Sequence, residues 1–81
     1  MIGFHTLPIK YRRHASDRLK KRFQMATDEV RHCLKTGKHI KKPRKDGDIG
    51  IIESVMGGFT IRFIYTIRSQ VIYIITVEDS S

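Results

Sequence analysis

Residues Phe59 to Ile67 carry the clearest pattern in the chain. The odd positions Phe59, Ile61, Phe63, Tyr65 and Ile67 are apolar or aromatic, and the even positions are Thr60, Arg62, Ile64 and Thr66. Alternation with period two predicts a strand with one face on a core and the other at least partly wet. Apolar runs flank it on both sides: Ile49 to Val55, linked through Met56-Gly57-Gly58, and Val71 to Glu78, linked through Arg68-Ser69-Gln70. Links this short predict an antiparallel β-meander. In the third strand simple alternation groups Val71, Tyr73, Ile75 and Val77 on one face, with Tyr65 and Tyr73 filling core space. Ile72 and Ile74 then join Ile64, Thr60, Arg62 and Thr66 on a mixed second face. That face is suited to a base, a ligand, a partner protein, the N-terminal lead-in or a dimer mate.

The N-terminal half has a different period. Ala15, Leu19 and Phe23 recur every four residues, which predicts a helix from His14 to near Gln24. Ser16 and Asp17 fall early, where a hydroxyl cap and a negative charge suit a helix N-terminus. A second helix is predicted from Thr27 as N-cap, Asp28 and Glu29 in the first turn, the stripe Val30, Cys33 and Leu34, and Gly37 as the C′ residue. Met1 to Pro8 reads as a loose lead-in and Ile9 to Tyr11 as a short extended piece. His39 to Lys42 reads as a frayed edge strand before Pro43 and the turn signal Asp46-Gly47. The expected fold class is α+β, with two N-terminal helices packed on one face of a three- to four-stranded antiparallel β-meander, in one domain over residues 1–81.

Size narrows the function classes. With 81 residues the chain is too short for a second module or a dinucleotide fold, and it has little interior to spare for a large substrate cavity. Cys33 is the single cysteine, so no intramolecular disulfide forms, and it reads as a small core residue. The longest apolar stretch, Val71 to Ile75, is far below membrane-spanning length, and the lead-in is too short for a signal peptide. A cytoplasmic protein without membrane contact is expected.

Charge changes the picture more. The formal net charge is +8, but residues 1–45 hold 14 basic and 3 acidic residues, a net of +11, while residues 46–81 carry a net of −3. A cationic half on an ordinary scaffold points to a polyanion, since self-repulsion of that size costs stability unless a partner offsets it.

Within that half, His14, Arg18 and Arg22 are spaced four apart, so on an α-helix they form one narrow strip beside the core stripe. Two guanidinium forks in a row can grip successive phosphates, and an imidazole can exchange a proton near neutral pH. Cleaving RNA through its own 2′-hydroxyl needs a base, an acid and cationic charge on the transition state. Histidine with arginines meets those needs without a metal. The bland alternative is structural: arginines at the border of a core tie a helix to a sheet by pairing with acids such as Glu53, Glu78 or Asp79. Lys38, Lys41, Lys42, Arg44 and Lys45 form a basic run, and Lys20 and Lys21 add charge to the first helix, all suited to phosphate contact. The four histidines have no metal-ligand spacing, so neither a metal nor another cofactor is expected.

The string His14-Ala15-x-x-Arg18-Leu19-x-x-Arg22 resembles the opening of a family of small bacterial domains of unknown function with the pattern HAxxR(M/L)xxR. The similarity runs over roughly residues 11–78. The family resembles the RelE/ParE and BrnT group of toxins. That resemblance implies helices on one face of a small antiparallel sheet, metal-independent cleavage of mRNA, often on ribosomes, and neutralisation by an acidic antitoxin. It implies a site at His14, Arg18 and Arg22, to which the sheet-face pattern adds Arg62. The glycine usual after the second Arg is here Phe23, a departure that bears on the corner after the helix. Three functions follow as expectations: a metal-independent endoribonuclease of toxin type, a non-catalytic nucleic-acid- or ribosome-binding module, and a small interaction protein whose Arg strip is structural.

Overall fold

A computed structural model describes residues 6–56 and 58–79. Residues 1–5 of the expected lead-in, and Gly57 of the expected turn, lie outside the described residues. The chain forms β1 (Ile9–Tyr11), α1 (Arg13–Arg18) continued by a π-helical turn over Leu19–Phe23, α2 (Thr27–Thr36), β2 (Lys38–Lys41), β3 (Ile49–Met56), β4 (Phe59–Arg68) and β5 (Val71–Asp79). The class is α+β, but the sheet has five strands in the order β1-β5-β4-β3-β2, and it is mixed. The expectation of a purely antiparallel meander of three or four strands is corrected at one edge, where a fifth strand is added in parallel. The extended piece at Ile9–Tyr11 pairs with β5 in parallel, held by Ile72 N–H donating to Pro8 O at 2.9 Å and Arg12 N–H to Ile74 O at 3.0 Å. The basic segment before Pro43 pairs with β3 in antiparallel sense and forms the other edge.

Both helices cover one face of the sheet. Ala15, Leu19, Val30, Cys33 and Leu34 bury against Ile52, Ile61, Phe63, Tyr65, Ile72, Ile74 and Val77. α1 lies over β5 and β1, and α2 over β3. The period-four stripe of the first helix survives, with Phe23 half-buried at its end.

Several local expectations shift. α1 starts at Arg13 with Arg12 as N-cap and no side-chain cap, so Ser16 and Asp17 sit inside the helix rather than at its start. α2 is capped at Ala26, whose N–H donates to Glu29 Oε1 at 3.1 Å; Thr27 is instead the first helical residue, and its hydroxyl accepts from Tyr11 at 3.0 Å. Gly37 is not left-handed, with φ −70°. Its need is steric: a Cβ there would meet Ile52 Cγ2 at 2.5 Å and Cys33 O at 2.6 Å, where α2 runs into β2 against β3.

The first helical segment closes on Gln24, which is left-handed at φ 52° and ψ 46°. The N–H groups of Gln24 and Met25 both reach Leu19 O. A side chain in that region costs about 1–2 kcal/mol, and glycine gives back about 0.5–1 kcal/mol in lost backbone freedom. Gln24→Gly is therefore expected to stabilise the protein by about 0.5–1 kcal/mol, seen as a rise of a few degrees in Tm. Gln24→Ala keeps the Cβ and is expected to give no such rise.

The largest correction concerns β5. The register between β4 and β5 shifts between Ile64/Tyr65, where Ile64 faces Thr76 and Tyr65 faces Ile74. Ile75 is thus an extra residue, a β-bulge, and a bulge inverts which face later residues take. Ile72 and Ile74 lie in the core on one side of it, and Val77 lies in the core on the other. Tyr73 turns to the helix-free face, and does not fill the core as Tyr65 does.

Candidate nucleic-acid interface

Each residue singled out in the sequence has a definite place. His14 is exposed on α1, and its imidazole has no hydrogen-bond partner among the described residues. Arg18 is half-buried and donates from Nη1 to Val77 O at 3.0 Å. β1 ends at Tyr11, opposite Ile74, so the edge of β5 beyond it has no strand partner. The guanidinium takes the carbonyl that a longer β1 would have used. Arg22 pairs with Asp79 at 2.8 Å, with its side chain 56% exposed. Two of the three members of the strip therefore tie α1 and its π turn to the end of β5.

Arg62 does not join them. It alternates with the buried Ile61 and Phe63, so it points to the helix-free face, the opposite side of the sheet from α1. There it pairs with Glu53 at 2.9 Å, beside Glu78 in the register. Across that face Lys38, Glu53, Arg62 and Glu78 are successive neighbours on β2, β3, β4 and β5, an alternation of charge sign that holds the arginine in place. A single site assembled from His14, Arg18, Arg22 and Arg62 is not what the fold builds.

The remaining cations fall into two groups. Lys20 and Lys21 are exposed on the π turn near His14 and Arg22. Lys38 and Lys41 are exposed on β2, with Lys42, Arg44 and Lys45 exposed on the following loop. β1 and β2 are the two edges of the sheet, four strand spacings or about 19 Å apart. None of these seven side chains has a hydrogen bond or ion pair among the described residues.

Arg18 and Arg22 separate by environment. A charged donor on a half-buried carbonyl is worth more than an exposed ion pair. Arg18→Ala is expected to cost about 1–2 kcal/mol in urea unfolding, and Arg22→Ala less than about 1 kcal/mol.

Burial also sets the proton chemistry. Tyr65 is almost wholly buried, and burial pushes its hydroxyl up to about 12, so it stays protonated at neutral pH. His39 lines a cleft of about 260 Å³ with Lys42, Pro43, Tyr65 and Ile67. Burial, and then the charge of Lys42, lower its pKa, so it is neutral at pH 7. Cys33 is fully buried, and burial raises its thiol, although a hydrogen bond with Ser54 pulls the other way. Among the described residues no group of three or more His, Cys, Asp or Glu side chains is placed to hold a metal ion, and no helix is long and apolar enough to cross a membrane.

A second cleft, of about 370 Å³, opens on the helix-free face and was not legible from the motif. It is lined by Arg12, Gly47, Ile49, Thr66, Arg68, Tyr73 and Ile75. The alternation of Ile9 and Tyr11 with Lys10 and Arg12 was a usable signal for the two cations beside it. Tyr73 is placed on that face by its register opposite Thr66. Comparison with protein-family models, with curated proteins and with solved structures found no match to this chain.

Proposed function

We propose that this protein binds RNA. The observation that carries the proposal is the set of exposed cations at Lys20, Lys21, Lys38, Lys41, Lys42, Arg44 and Lys45, whose side chains have no partner among the described residues. Seven such charges on so small a body repel one another, and a phosphate backbone relieves that repulsion while releasing its counterions.

Two forms of this function differ in chemistry. In the first, the protein is a metal-independent endoribonuclease toxin of the cytoplasm, restrained by an acidic antitoxin. His14 would move the proton, and Arg22, released from an exposed ion pair, would meet the phosphate. The imidazole of His14, exposed and without a partner among the described residues, supports this form. In the second, the protein is a non-catalytic RNA- or ribosome-binding module. The engagement of Arg18 by Val77 O and of Arg22 by Asp79 favours this form, as does the placement of Arg62 on the reverse face. The second form accounts for more of the geometry: the arginines of the motif hold α1 to β5, and the lysines hold the nucleic acid.

Incubation of labelled RNA with the protein in EDTA, beside His14→Ala and Arg22→Ala, separates the two. The binding module gives retention of RNA without scission in all three proteins. Scission by wild type that falls about 100-fold or more in His14→Ala establishes the nuclease form, as removal of a general acid–base group demands. Absence of RNA retention at physiological salt rejects both.

A further inference from the structure

We infer that the cleft on the helix-free face holds one nucleotide unit of a single-stranded RNA, its phosphate between Arg12 and Arg68 and its base against Tyr73, Ile49 and Ile75. The inference rests on the RNA-binding proposal and adds a place and a chemistry to it.

The floor of the cleft is a row of cross-strand neighbours. Ile49 faces Thr66, Thr66 faces Tyr73, and Tyr73 faces Lys10 on the parallel edge strand. The row is apolar at one end, aromatic towards the middle and cationic at the far end. Its register opposite Thr66 sets Tyr73 outward, and the bulge leaves Ile75 beside it in the cleft wall. A flat ring has a surface to stack on, and stacking of a base on an aromatic side chain tolerates any base because each has a π face.

The charge of the cleft is of one sign. Arg12 and Arg68 line it, and among the described residues no carboxylate does. Neither guanidinium has a hydrogen bond or ion pair among the described residues, in contrast to Arg18, Arg22 and Arg62. The acids on the adjoining loop are already engaged: Asp46 Oδ1 accepts from Ser69 N–H at 3.0 Å, and Asp48 Oδ2 from Arg44 N–H at 3.3 Å. Thr66 also spends its hydroxyl proton on Asp48 O at 2.8 Å. Two unpaired guanidinium forks over an apolar and aromatic floor complement an anion joined to a flat ring. The volume falls in the ordinary range of small-ligand sites.

An acidic peptide would satisfy the guanidinium groups but leaves the aromatic floor without a matching group. A second copy of this chain would bring Arg12 and Arg68 against their own like charges. The nucleotide unit uses both halves of the cleft, and Lys10 at the end of the row meets the next phosphate along the strand.

The test is fluorescence anisotropy of the full chain with a labelled single-stranded RNA heptamer, an abasic heptamer and a labelled hepta-glutamate peptide. Arg12→Gln/Arg68→Gln is expected to weaken RNA binding by about 10-fold or more, and Arg13→Gln/Lys35→Gln, which removes the same charge from exposed positions of α1 and α2 outside the binding set, by about threefold or less. Tyr73→Leu is expected to weaken the base-bearing RNA by about 10-fold and the abasic strand little. Both arginine side chains are without partners among the described residues, so their double variant is expected to keep the fold even where Tyr73→Leu does not. Equal losses in the two double variants overturn the cleft assignment while RNA binding stands. Tighter binding of the glutamate peptide than of RNA overturns the choice of ligand. No RNA binding by wild type fails the underlying proposal itself.

Discussion

Gly50→Ala is expected to lower stability by about 3 kcal/mol, the upper part of the usual range for overpacking a filled core. Gly50 lies directly opposite Tyr65 in the β3–β4 register, and both are buried. The Tyr65 ring crosses the glycine backbone so closely that a Cβ would fall 2.6 Å from the tyrosine hydroxyl oxygen and 2.7 Å from Cε1. The ring is the largest of the fully buried side chains, so displacing it disturbs the core around it. For a domain of this size the loss corresponds to a fall in Tm of about 12–24 °C. It removes a large share of a stability that, at about 0.05–0.15 kcal/mol per residue, is small to begin with. Thermal unfolding followed by circular dichroism measures it. In the background of Tyr65→Leu, which empties the space above the glycine, the same Gly50→Ala change is expected to cost at least 1 kcal/mol less, or about that. A Tm within about 3 °C of wild type would show that the ring does not lie over this backbone.

The second large effect is on binding. With about five phosphate contacts to a single strand, log K should fall with log salt with a slope near −3.5, so affinity drops about 100-fold between 50 and 200 mM salt. Mixed contributions from the helical cations, the β2 edge and the helix-free face all enter that slope. Charge-neutral substitution of one lysine that contacts phosphate should make the slope about 0.7 less steep. Anisotropy titrations at four salt concentrations measure it. A flat salt profile would mean that the exposed lysines serve solubility alone, and that the protein is an interaction module with a structural Arg strip.

The motif His14, Arg18 and Arg22 shows how far a pattern of residues can carry a site. Its spacing implies one α-helical edge beside the core; in the fold Arg22 lies on the π-helical turn, and Arg18 and Arg22 both reach the end of β5. It does not reveal what each guanidinium meets, because Val77 O and Asp79 are about sixty residues away along the chain. The competing structural account, pairing of the helix arginines with Glu53, Glu78 or Asp79, meets its case in Arg22 with Asp79, while Arg18 takes a carbonyl instead and Glu53 pairs with Arg62 of the sheet itself. For Arg62 the alternation of β4 is sufficient to place it on the face away from the helices, once the helices are known to cover Ile61 and Phe63.

By itself the sequence determined the elements whose signal is local. The period of four in Ala15, Leu19 and Phe23, the stripe Val30, Cys33 and Leu34, and the alternation from Phe59 to Ile67 each arise from a repeat that side chains impose on a helix or a strand. The division of charge between the two halves is equally a property of the chain. Tertiary structure alone decided that Ile9–Tyr11 becomes a parallel edge, that Ile75 bulges, and that Tyr73 faces outward beside Arg12 and Arg68. A one-residue bulge inverts facing without altering composition, and an edge pairing joins segments about sixty residues apart, so neither leaves a local mark.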